Sequence, residues 1–476
     1  MAFGIRHLAL TRVLLISTYD LGRQPFGLAS PAAWLRRAGH TVTCVDVTRT
    51  KPTQDAVREA DLVAFYLPMH TATRMALPLM DRVRAINPSV HLCAYGLYAP
   101  LNAEVLREHG AQAILGPEFE EDLATLATSL DRDRPASPTL RSGVPEPATS
   151  PREHGRPEGR ANAIGRVRFI TPDRAGLPPL TTYASLQIGS ERRTVGYTEA
   201  TRGCKHRCRH CPIVPVYDGR FRAVSADVVL ADIRAQVAAG AQHITFGDPD
   251  FFNGPTHALA IVDRLAREFP GVTYDVTIKV EHLKQQAAAL PRLVETGCAF
   301  VTSAVESFDD EVLEKLEKGH THADFVEVVE RCQSIGLALS PTFVAFTPWT
   351  TVDGYAGMLR EIDRLGLVQA VSPIQYAIRL LIPQASRMLE LEEIRRRIVR
   401  FDPASLTHVW RHEDARVDAL QQELERLVGT RLNAVREEIF ARVWDLAHAA
   451  AGTPPPQRTP LVSRAAIPYL NEPWYC

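Results

Sequence analysis

Two blocks in which short apolar runs alternate with helical stretches constrain this chain more than any other feature. In the first block, β-rich runs at residues 13–17, 42–47 and 62–66 alternate with helix-forming segments such as 27–38. Strands and helices alternating at this spacing predict a parallel, doubly wound, Rossmann-like sheet. Such sheets bind ligands outside the carboxyl ends of their strands. We therefore predict an α/β domain over residues 1–130.

The second block, residues 191–390, repeats the alternation six times. The predicted strands are residues 195–199, 243–246, 274–280, 300–304, 338–346 and 370–381. Six βα units exceed what a small open sheet needs, so they predict a partial (β/α)6 barrel with its site at the carboxyl ends of the strands. Residues 131–190, which begin with a stretch rich in Pro, Arg and Ser, are predicted to be a linker or crossing segment. Residues 391–476 are predicted to be mostly helical.

Charge and hydropathy limit the class of partner. Lys and Arg number 54 and Asp and Glu number 55, which gives a net charge of −1 and no broad field for nucleic acid or a membrane surface. No long apolar run predicts a transmembrane helix, and the N-terminus lacks a signal-peptide pattern. Because the cysteines are dispersed in a signal-free chain, we expect a cytoplasmic protein.

Three of the eight cysteines crowd into eight positions directly after the first strand of the second block: Cys204, Cys208 and Cys211. Three thiolates on one tight loop bind three irons of a [4Fe–4S] cluster and leave the fourth iron open to an exogenous ligand. Structural zinc takes four protein ligands, and His206 or His210 offers the fourth. A zinc-binding regulatory protein therefore stays as an alternative.

The spacing Cys-x3-Cys-x2-Cys at the end of a strand resembles the radical SAM superfamily. The resemblance implies that the open iron chelates the amino and carboxylate groups of S-adenosylmethionine (SAM). It also implies that one electron from the cluster, supplied by a donor such as flavodoxin or ferredoxin, breaks a carbon–sulfur bond. His210 occupies the place of a family aromatic residue near the adenine.

Two further strand ends resemble family elements. Gly247, Asp248 and Asp250 follow the second strand and resemble the Gly-Gly-Glu element that hydrogen-bonds the methionine amino group, although only one Gly is present. A turn with solvated carboxylates is the alternative. Glu306 and Ser307 end the fourth strand and resemble the family's Gly-Ile-Glu-Ser strand, which implies contact with the SAM ribose or methionine. A structural ion pair is the alternative for this carboxylate.

Three charged residues at other strand ends are also candidates. Lys279 and Glu281, after the third strand, either pair with each other or face the site. Arg379, on the predicted sixth strand, would bind a carboxylate of SAM or substrate through charge-assisted hydrogen bonds. A surface Arg is the alternative.

The segment from Pro25 to His40 resembles the opening helix of the cobalamin-binding domains that precede many radical SAM cores. The Asp-x-His-x-x-Gly signature that supplies a lower axial His is absent. The resemblance implies that residues 66–71 and 96–102 flank the corrin ring, with Met69 or His70 beside the cobalt. A domain that has lost its cobalamin is the alternative.

The chain finishes in Glu-Pro-Trp-Tyr-Cys476. This ending is similar to that of the CUAEP/CCAEP-tail radical SAM proteins, which implies a catalytic role for Cys476. The thiol would ligate the open iron, quench a substrate radical or take part in redox exchange. A frayed terminus with an incidental thiol is the alternative.

Together these features predict a radical SAM enzyme that modifies a small molecule or peptide. If cobalamin binds, the expected reaction is methyl transfer. If it does not, adenosyl- or 3-amino-3-carboxypropyl-radical chemistry is expected instead.

Overall fold

A computed structural model describes residues 10–132, 168–430, 435–458 and 469–471. The first domain contains five parallel strands in the order β2-β1-β3-β4-β5. Its strands are β1 (Arg12–Ser17), β2 (Thr41–Asp46), β3 (Leu62–Tyr66), β4 (His91–Tyr95) and β5 (Ala113–Leu115). Its helices are α1 (Phe26–Arg37), α2 (Gln54–Glu59), α3 (His70–Ile86), α4 (Tyr98–Leu101), α5 (Ala103–Glu108) and α6 (Glu120–Arg132). The order 2-1-3-4-5 is the flavodoxin-like form of the doubly wound sheet, so the predicted α/β architecture is confirmed.

Apolar side chains cover both faces of this sheet. Helices α1 and α6 pack on one face, whereas α2, α3 and α5 pack on the other. A strand covered on both sides reads as an unbroken apolar run, which is why all five residues of β3 are buried. The loops after β1, β3 and β4 meet at the carboxyl edge, where a ligand of this fold would lie.

The second sheet has the order β13-β12-β11-β10-β7-β6-β16. Its strands β7 and β10 to β13 run parallel, whereas β6 is antiparallel to both β7 and β16. The strands after β5 are β6 (Ser185–Ile188), β7 (Glu191–Thr198), β8 (Thr201–Gly203), β9 (Phe221–Ala223), β10 (His243–Phe246), β11 (Thr273–Thr277), β12 (Cys298–Glu306), β13 (Leu339–Phe343), β14 (Ile398–Asp402), β15 (Thr407–Trp410) and β16 (Tyr469–Asn471). The helices after α6 are α7 (Val214–Tyr217), α8 (Ala226–Ala238), α9 (Pro255–Glu268), α10 (Val280–Gln285), α11 (Leu290–Glu295), α12 (Asp310–Lys315), α13 (His322–Ser334), α14 (Val352–Arg364), α15 (Glu392–Arg397), α16 (Ala415–Gly429) and α17 (Arg436–Ala451).

The partial barrel is confirmed, but its predicted sixth strand over residues 370–381 is wrong. Pro373–Tyr376 forms a 3-10 helix, and the parallel pairing is reduced to one bridge between Phe346 and Arg379. Proline lacks the N–H that a ladder needs and favours the first turn of a helix. Five parallel strands therefore form a curled half-barrel.

As predicted, the described part of the C-terminal region is mostly helical. Helix α17 packs against α14, and α16 packs against α17; both extend the apolar core of the half-barrel. Strands β14 and β15 form an antiparallel hairpin that the sequence did not predict. At its turn, Leu406 is fully buried in the same apolar cluster as Phe65 and Leu67 of the first domain. The hairpin therefore joins the C-terminal region to the N-terminal sheet.

The predicted linker over residues 131–190 is partly wrong. Its residues 133–167 lie outside the described ranges, but residues 168–190 carry β6 and contact the first domain. Asp173 donates its backbone N–H to the Ala29 carbonyl, and Gln24 donates its side-chain amide to the Pro178 carbonyl. Strand β6 was missed although it forms a hairpin with β7 through a two-residue turn at Gly189 and Ser190; its second partner, β16, is far away in sequence.

Within the described ranges, no helix combines the length and the apolar character that a membrane crossing requires.

Candidate functional site

The three clustered cysteines lie on a loop between β8 and β9 at the carboxyl edge of the half-barrel. Gly203, just before the loop, has φ +76°, and a Cβ there would lie 2.5 Å from the Arg220 carbonyl oxygen. Asn253 holds the start of the loop: its Oδ1 accepts from the Lys205 N–H at 3.1 Å and its Nδ2 donates to the Gly203 carbonyl at 3.2 Å. The start of the cysteine loop is therefore held by contacts to its backbone.

The donor chemistry of this loop fits an iron–sulfur cluster. Cys204, Cys208 and Cys211 are free thiols that influence each other's ionisation. Burial raises the pKa of the Cys204 thiol to about 12 and that of Cys211 to about 11. Metal binding requires thiolates, so these side chains would release protons as a cluster forms. Three soft sulfur ligands on one loop match three irons and leave one open.

A chain of titratable side chains extends from His206 along the carboxyl edge. His206 Nε2 lies 3.2 Å from His282 Nε2, and its Nδ1 lies 3.1 Å from Lys279 Nζ. Lys279 also donates to Glu281 Oε2 at 2.9 Å. The prediction that Lys279 and Glu281 pair with each other is confirmed, and the pair also reaches the cysteine loop through His206.

Asp250 is almost fully buried beside this chain. Its Oδ2 lies 2.6 Å from His282 Nδ1 and 3.4 Å from His206 Nε2. Burial opposes ionisation, but hydrogen bonds from the two histidines hold the pKa of Asp250 below its usual range. The Asp250 Oδ2 and His282 Nδ1 atoms nevertheless lack a well-aligned hydrogen bond. Buried polar atoms with spare bonding capacity at the strand ends fit a polar cofactor such as SAM.

Ligand atoms of Cys204, His206 and Asp250 all lie within 4.8 Å of one another. Of the two histidines proposed as a fourth zinc ligand, His206 is thus the one beside Cys204. His210 instead points to Glu306, with its Nε2 3.0 Å from Oε1.

Asp248 and Gly247 hold local structure. Asp248 accepts from Thr201 Oγ1 at 2.5 Å and from the Ala200 N–H at 2.9 Å, and burial raises its pKa to about 7. A Cβ at Gly247 would overlap the hydroxyl of Tyr197. Asp248 thus ties β10 to the strand that leads into the cysteine loop. Binding of SAM by Gly247 and Asp248 stays a prediction.

Glu306, the last residue of β12, forms an ion pair, which was the alternative to a contact with SAM. Its Oε1 accepts from His210 at 3.0 Å and from Lys318 Nζ at 3.2 Å. Burial opposes ionisation, yet Lys318 and then His210 lower the pKa of Glu306 to about 2. Glu306 and Ser307 also line a cavity of about 370 Å³. Their contact with SAM stays a prediction.

Arg379 is held by the C-terminal region. Its Nη1 donates to Asp418 at 2.8 Å, its Nη2 donates to the Trp410 carbonyl at 2.8 Å, and the guanidinium lies 3.5 Å from the Trp410 ring centroid. These contacts occupy both terminal nitrogens of the fork. The predicted role of Arg379 in binding a carboxylate stays a prediction.

One face of the half-barrel carries small polar side chains that sequence reasoning missed. Thr277, Thr302 and Ser340 are neighbours in register on β11, β12 and β13, with Thr342 one step further along β13. All four are half-buried, whereas the alternate residues of these strands are buried against helices. Part of this signal was present in β13, where Ser340 and Thr342 alternate with apolar residues, but Asp275 and Ala304 interrupt the pattern on β11 and β12. The concave face is therefore polar and open to solvent.

A buried ion pair joins the first domain to the cysteine loop. Arg202, two residues before Cys204, donates to both carboxylate oxygens of Glu120 at 2.6 and 3.0 Å, and its Nε donates to Glu199 at 2.7 Å. Its guanidinium also lies 5.3 Å from the ring centroid of Phe119. Sequence reasoning missed this link because Arg202 and Glu120 are 82 positions apart.

The residues expected beside cobalt are covered by the C-terminal hairpin. His70 Nε2 lies 2.5 Å from the Ser405 carbonyl oxygen, and burial lowers the pKa of His70. Met69 packs against the apolar cluster that includes Leu406. The placement of Met69 and His70 beside a cobalt stays a prediction. Cys476 lies outside the described residues.

Residues 198–353 match the radical SAM superfamily. The chain contains a radical SAM domain. This domain begins at the end of β7 and runs through β13, so it includes the cysteine loop, Asp250 and Glu306.

Curated relatives match parts of the chain. Hopanoid C-3 methylase of Methylococcus capsulatus is 23% identical over 349 residues, which cover 71% of this chain and 64% of that protein. Ribosomal protein uS12 methylthiotransferase RimO of Desulfotalea psychrophila is 26% identical over 191 residues, which cover 36% of this chain and 42% of that protein. The chain thus spans less than two thirds of the length of either relative.

Two solved structures share the architecture. The cobalamin-dependent radical enzyme OxsB, with aqua-cobalamin and SAM bound, superposes with a TM-score of 0.67 at 14% identity over 93% of this chain and 72% of OxsB. The radical SAM methyltransferase TsrM of Kitasatospora setae, with cobalamin and a [4Fe–4S] cluster bound, has a TM-score of 0.55 at 18% identity over 75% of this chain and 70% of TsrM. The N-terminal sheet and the radical SAM domain therefore have the fold of cobalamin-type radical SAM proteins.

Proposed function

We propose that this chain is a radical SAM enzyme whose cluster is held by Cys204, Cys208 and Cys211. The observation that carries the proposal is the triplet's place on a shaped loop at the carboxyl edge of the half-barrel, inside the matched domain. A [4Fe–4S] cluster bound there would supply the electron that breaks a carbon–sulfur bond of SAM. The zinc alternative gains no support from the relatives.

The chain's own residues would bind and orient SAM. Asp250, whose carboxylate lies within 4.8 Å of ligand atoms of Cys204 and His206, is placed to accept from the methionine amino group. Glu306 is fixed by two ion-pair partners, so its carboxylate stays in one orientation near the cysteine loop. A preformed set of charges needs no rearrangement when the cofactor arrives.

The substrate is proposed to be a polar small molecule. The hydroxyls of Thr277, Thr302, Ser340 and Thr342 line the solvent-accessible concave face. A surface of hydroxyl groups discriminates against a hydrocarbon because the polar groups would be left unpaired. This chain is therefore proposed to differ from the hopanoid methylase in its substrate, despite the shared fold.

Cobalamin-dependent methyl transfer is the first candidate reaction. It is supported by the OxsB and TsrM folds and by the methylase among the relatives. The contact between His70 and Ser405 favours a second candidate, in which the N-terminal domain holds no cobalamin and the reaction uses an adenosyl or aminocarboxypropyl radical.

Anaerobic reconstitution with iron and sulfide tests the main proposal. The wild-type protein should bind about four irons per chain and cleave SAM when reduced. Cys208→Ala should abolish both, whereas Cys332→Ala, which changes a buried cysteine of α13, should abolish neither. Colourless protein that retains one zinc, or SAM cleavage by Cys208→Ala, would overturn the assignment.

Corrinoid uptake separates the two candidate reactions. The protein refolded or expressed with hydroxocobalamin should retain its visible absorbance through gel filtration if methyl transfer is correct. Absence of the corrinoid, together with intact SAM cleavage, would leave the second candidate. Dithionite and reduced flavodoxin, compared as electron donors, test the expected redox partner, and we place the reaction in the reducing cytoplasm.

A further inference from the structure

The turn after α12 packs directly against the cysteine loop. The Arg209 backbone N–H donates to the Leu316 carbonyl at 2.9 Å. The Arg209 guanidinium also bonds to the Lys315 carbonyl and to the Glu317 carboxylate. These contacts span more than 100 positions of sequence and fix the turn beside Cys208.

This turn delivers a buried positive charge. Lys318 is only 3% exposed, and its Nζ lies 3.2 Å from Glu306 Oε1. Its ammonium interacts electrostatically with the Cys208 and Cys211 sulfurs. The lysine of the cysteine loop itself, Lys205, is exposed to solvent. Water and salt screen an exposed charge much more than a buried one, so Lys318 has the larger influence on the sulfurs.

We propose that Lys318 is a positioning residue that raises the reduction potential of the cluster held by the cysteine loop. The inference rests on the proposed function, since it concerns the cluster named there. Reduction of a [4Fe–4S] cluster adds one electron and therefore one negative charge, which a buried cation stabilises. Net charge close to the sulfurs is one of the determinants of cluster potential.

Glu306, the partner of Lys318, allows the direction of the shift in reduction potential to be tested. The Glu306 carboxylate interacts electrostatically with the Cys211 sulfur and opposes the lysine there. Loss of the lysine leaves an unbalanced anion, so reduction becomes harder. Loss of the carboxylate leaves an unbalanced cation, so reduction becomes easier. A purely structural role would not shift the potential in opposite directions.

The experiment is an anaerobic redox titration of the reconstituted full chain, followed by the EPR signal of the reduced cluster in the absence of SAM. At the wild-type midpoint potential, Lys318→Met should lower the ratio of reduced to oxidised cluster at least tenfold, which is about 59 mV for one electron. Glu306→Gln should raise that ratio. Lys318→Arg should stay within about threefold of wild type because the charge is kept.

Lys315→Met is the matched control. Lys315 belongs to the same helix end, but its ammonium pairs with Glu393 at 2.8 Å instead of with the cluster site. The cluster of Lys315→Met should have the same midpoint potential as that of the wild type.

Three results would overturn the inference. If Lys318→Met holds an intact cluster with an unchanged midpoint potential, the inference is wrong but the proposed function stands. If Lys318→Met takes up no iron, Glu306→Gln decides, and an unchanged or lower midpoint in that variant removes the inference. A wild-type protein that takes up no cluster overturns the proposed function as well.

Discussion

The buried pair between Arg202 and Glu120 predicts a measurable coupling between the two domains. We would replace Glu120 with Ala, which removes both hydrogen bonds from the guanidinium and leaves only Glu199 as its charged partner. The side chains of Arg202 and Glu120 are 8% and 1% exposed, so water cannot replace the lost contact. Removing one partner of a buried pair costs about 3–5 kcal/mol. Because Glu199 remains, we expect the lower end, about 3 kcal/mol.

That magnitude defines the assay. A free energy of about 3 kcal/mol changes an opening equilibrium roughly 150-fold. Hydrogen exchange followed by mass spectrometry should therefore show faster exchange in peptides covering residues 115–121 and 195–204. Peptides from α16 should be unaffected, because that helix does not contact the pair. The faster exchange should be accompanied by faster loss of iron from the adjacent cysteine loop.

Glu121→Ala is the control, because Glu121 is the next residue on the same helix and is exposed. Peptides of Glu121→Ala should exchange their amide hydrogens at the wild-type rate. If Glu120→Ala also exchanges within about threefold of the wild type at residues 195–204, the pair does not hold the cysteine loop to the first domain and the reasoning is refuted.

Three further outcomes are expected. Burial opposes ionisation of Glu306, but Lys318 depresses its pKa to about 2. The ionised carboxylate therefore contributes about 3 kcal/mol to the free energy of unfolding. This contribution should be present above pH 4.5 and lost as the pH falls towards 2. Thermal unfolding of apoprotein at several pH values should thus show a difference in melting temperature between wild type and Glu306→Gln that narrows in acid. A difference that stays constant with pH would contradict this prediction. Gly247→Ala should lower the melting temperature by several degrees because the new methyl group overlaps the Tyr197 hydroxyl, and an unchanged melt would show that the ring can move. Asn253→Ala should speed iron loss from the reconstituted protein, since two backbone groups of the cysteine loop lose their hydrogen-bond partner. An unaltered rate of iron loss would show that Asn253 does not hold the loop.

Local sequence patterns predicted the elements and the position of the cysteine loop. The strands of the first domain are short apolar runs because both faces are buried, and this signal needs no knowledge of the partner strands. The cysteine triplet was also predicted from a local pattern, since Cys204, Cys208 and Cys211 lie within eight positions. The pairing of Lys279 with Glu281 was also within reach, because the two residues are neighbours on the chain.

Most of the features that sequence reasoning missed depend on contacts between distant segments. The contacts of Arg379 with Asp418 and Trp410 are an example, because no local pattern connects these residues. Strand β6 pairs with β16 across almost three hundred positions. The sixth barrel strand failed for a local reason, since Pro373 starts a 3-10 turn within a β-rich composition. The polar concave face was visible in part as alternating hydroxyl residues on β13, but its meaning required the sheet register.

The burial of Leu406 among first-domain residues has a consequence for synthesis on the ribosome. The first domain's own helices end at Arg132, yet its apolar cluster is complete only when Leu406 arrives, roughly 270 residues later. At about 5–20 residues per second, the nascent domain would wait on the order of 15–50 s with that apolar patch uncovered. During this interval the edge of the sheet next to His70 is open, so a ligand that enters there meets the least resistance before the hairpin closes. Loading of this edge is therefore expected to be easiest during translation.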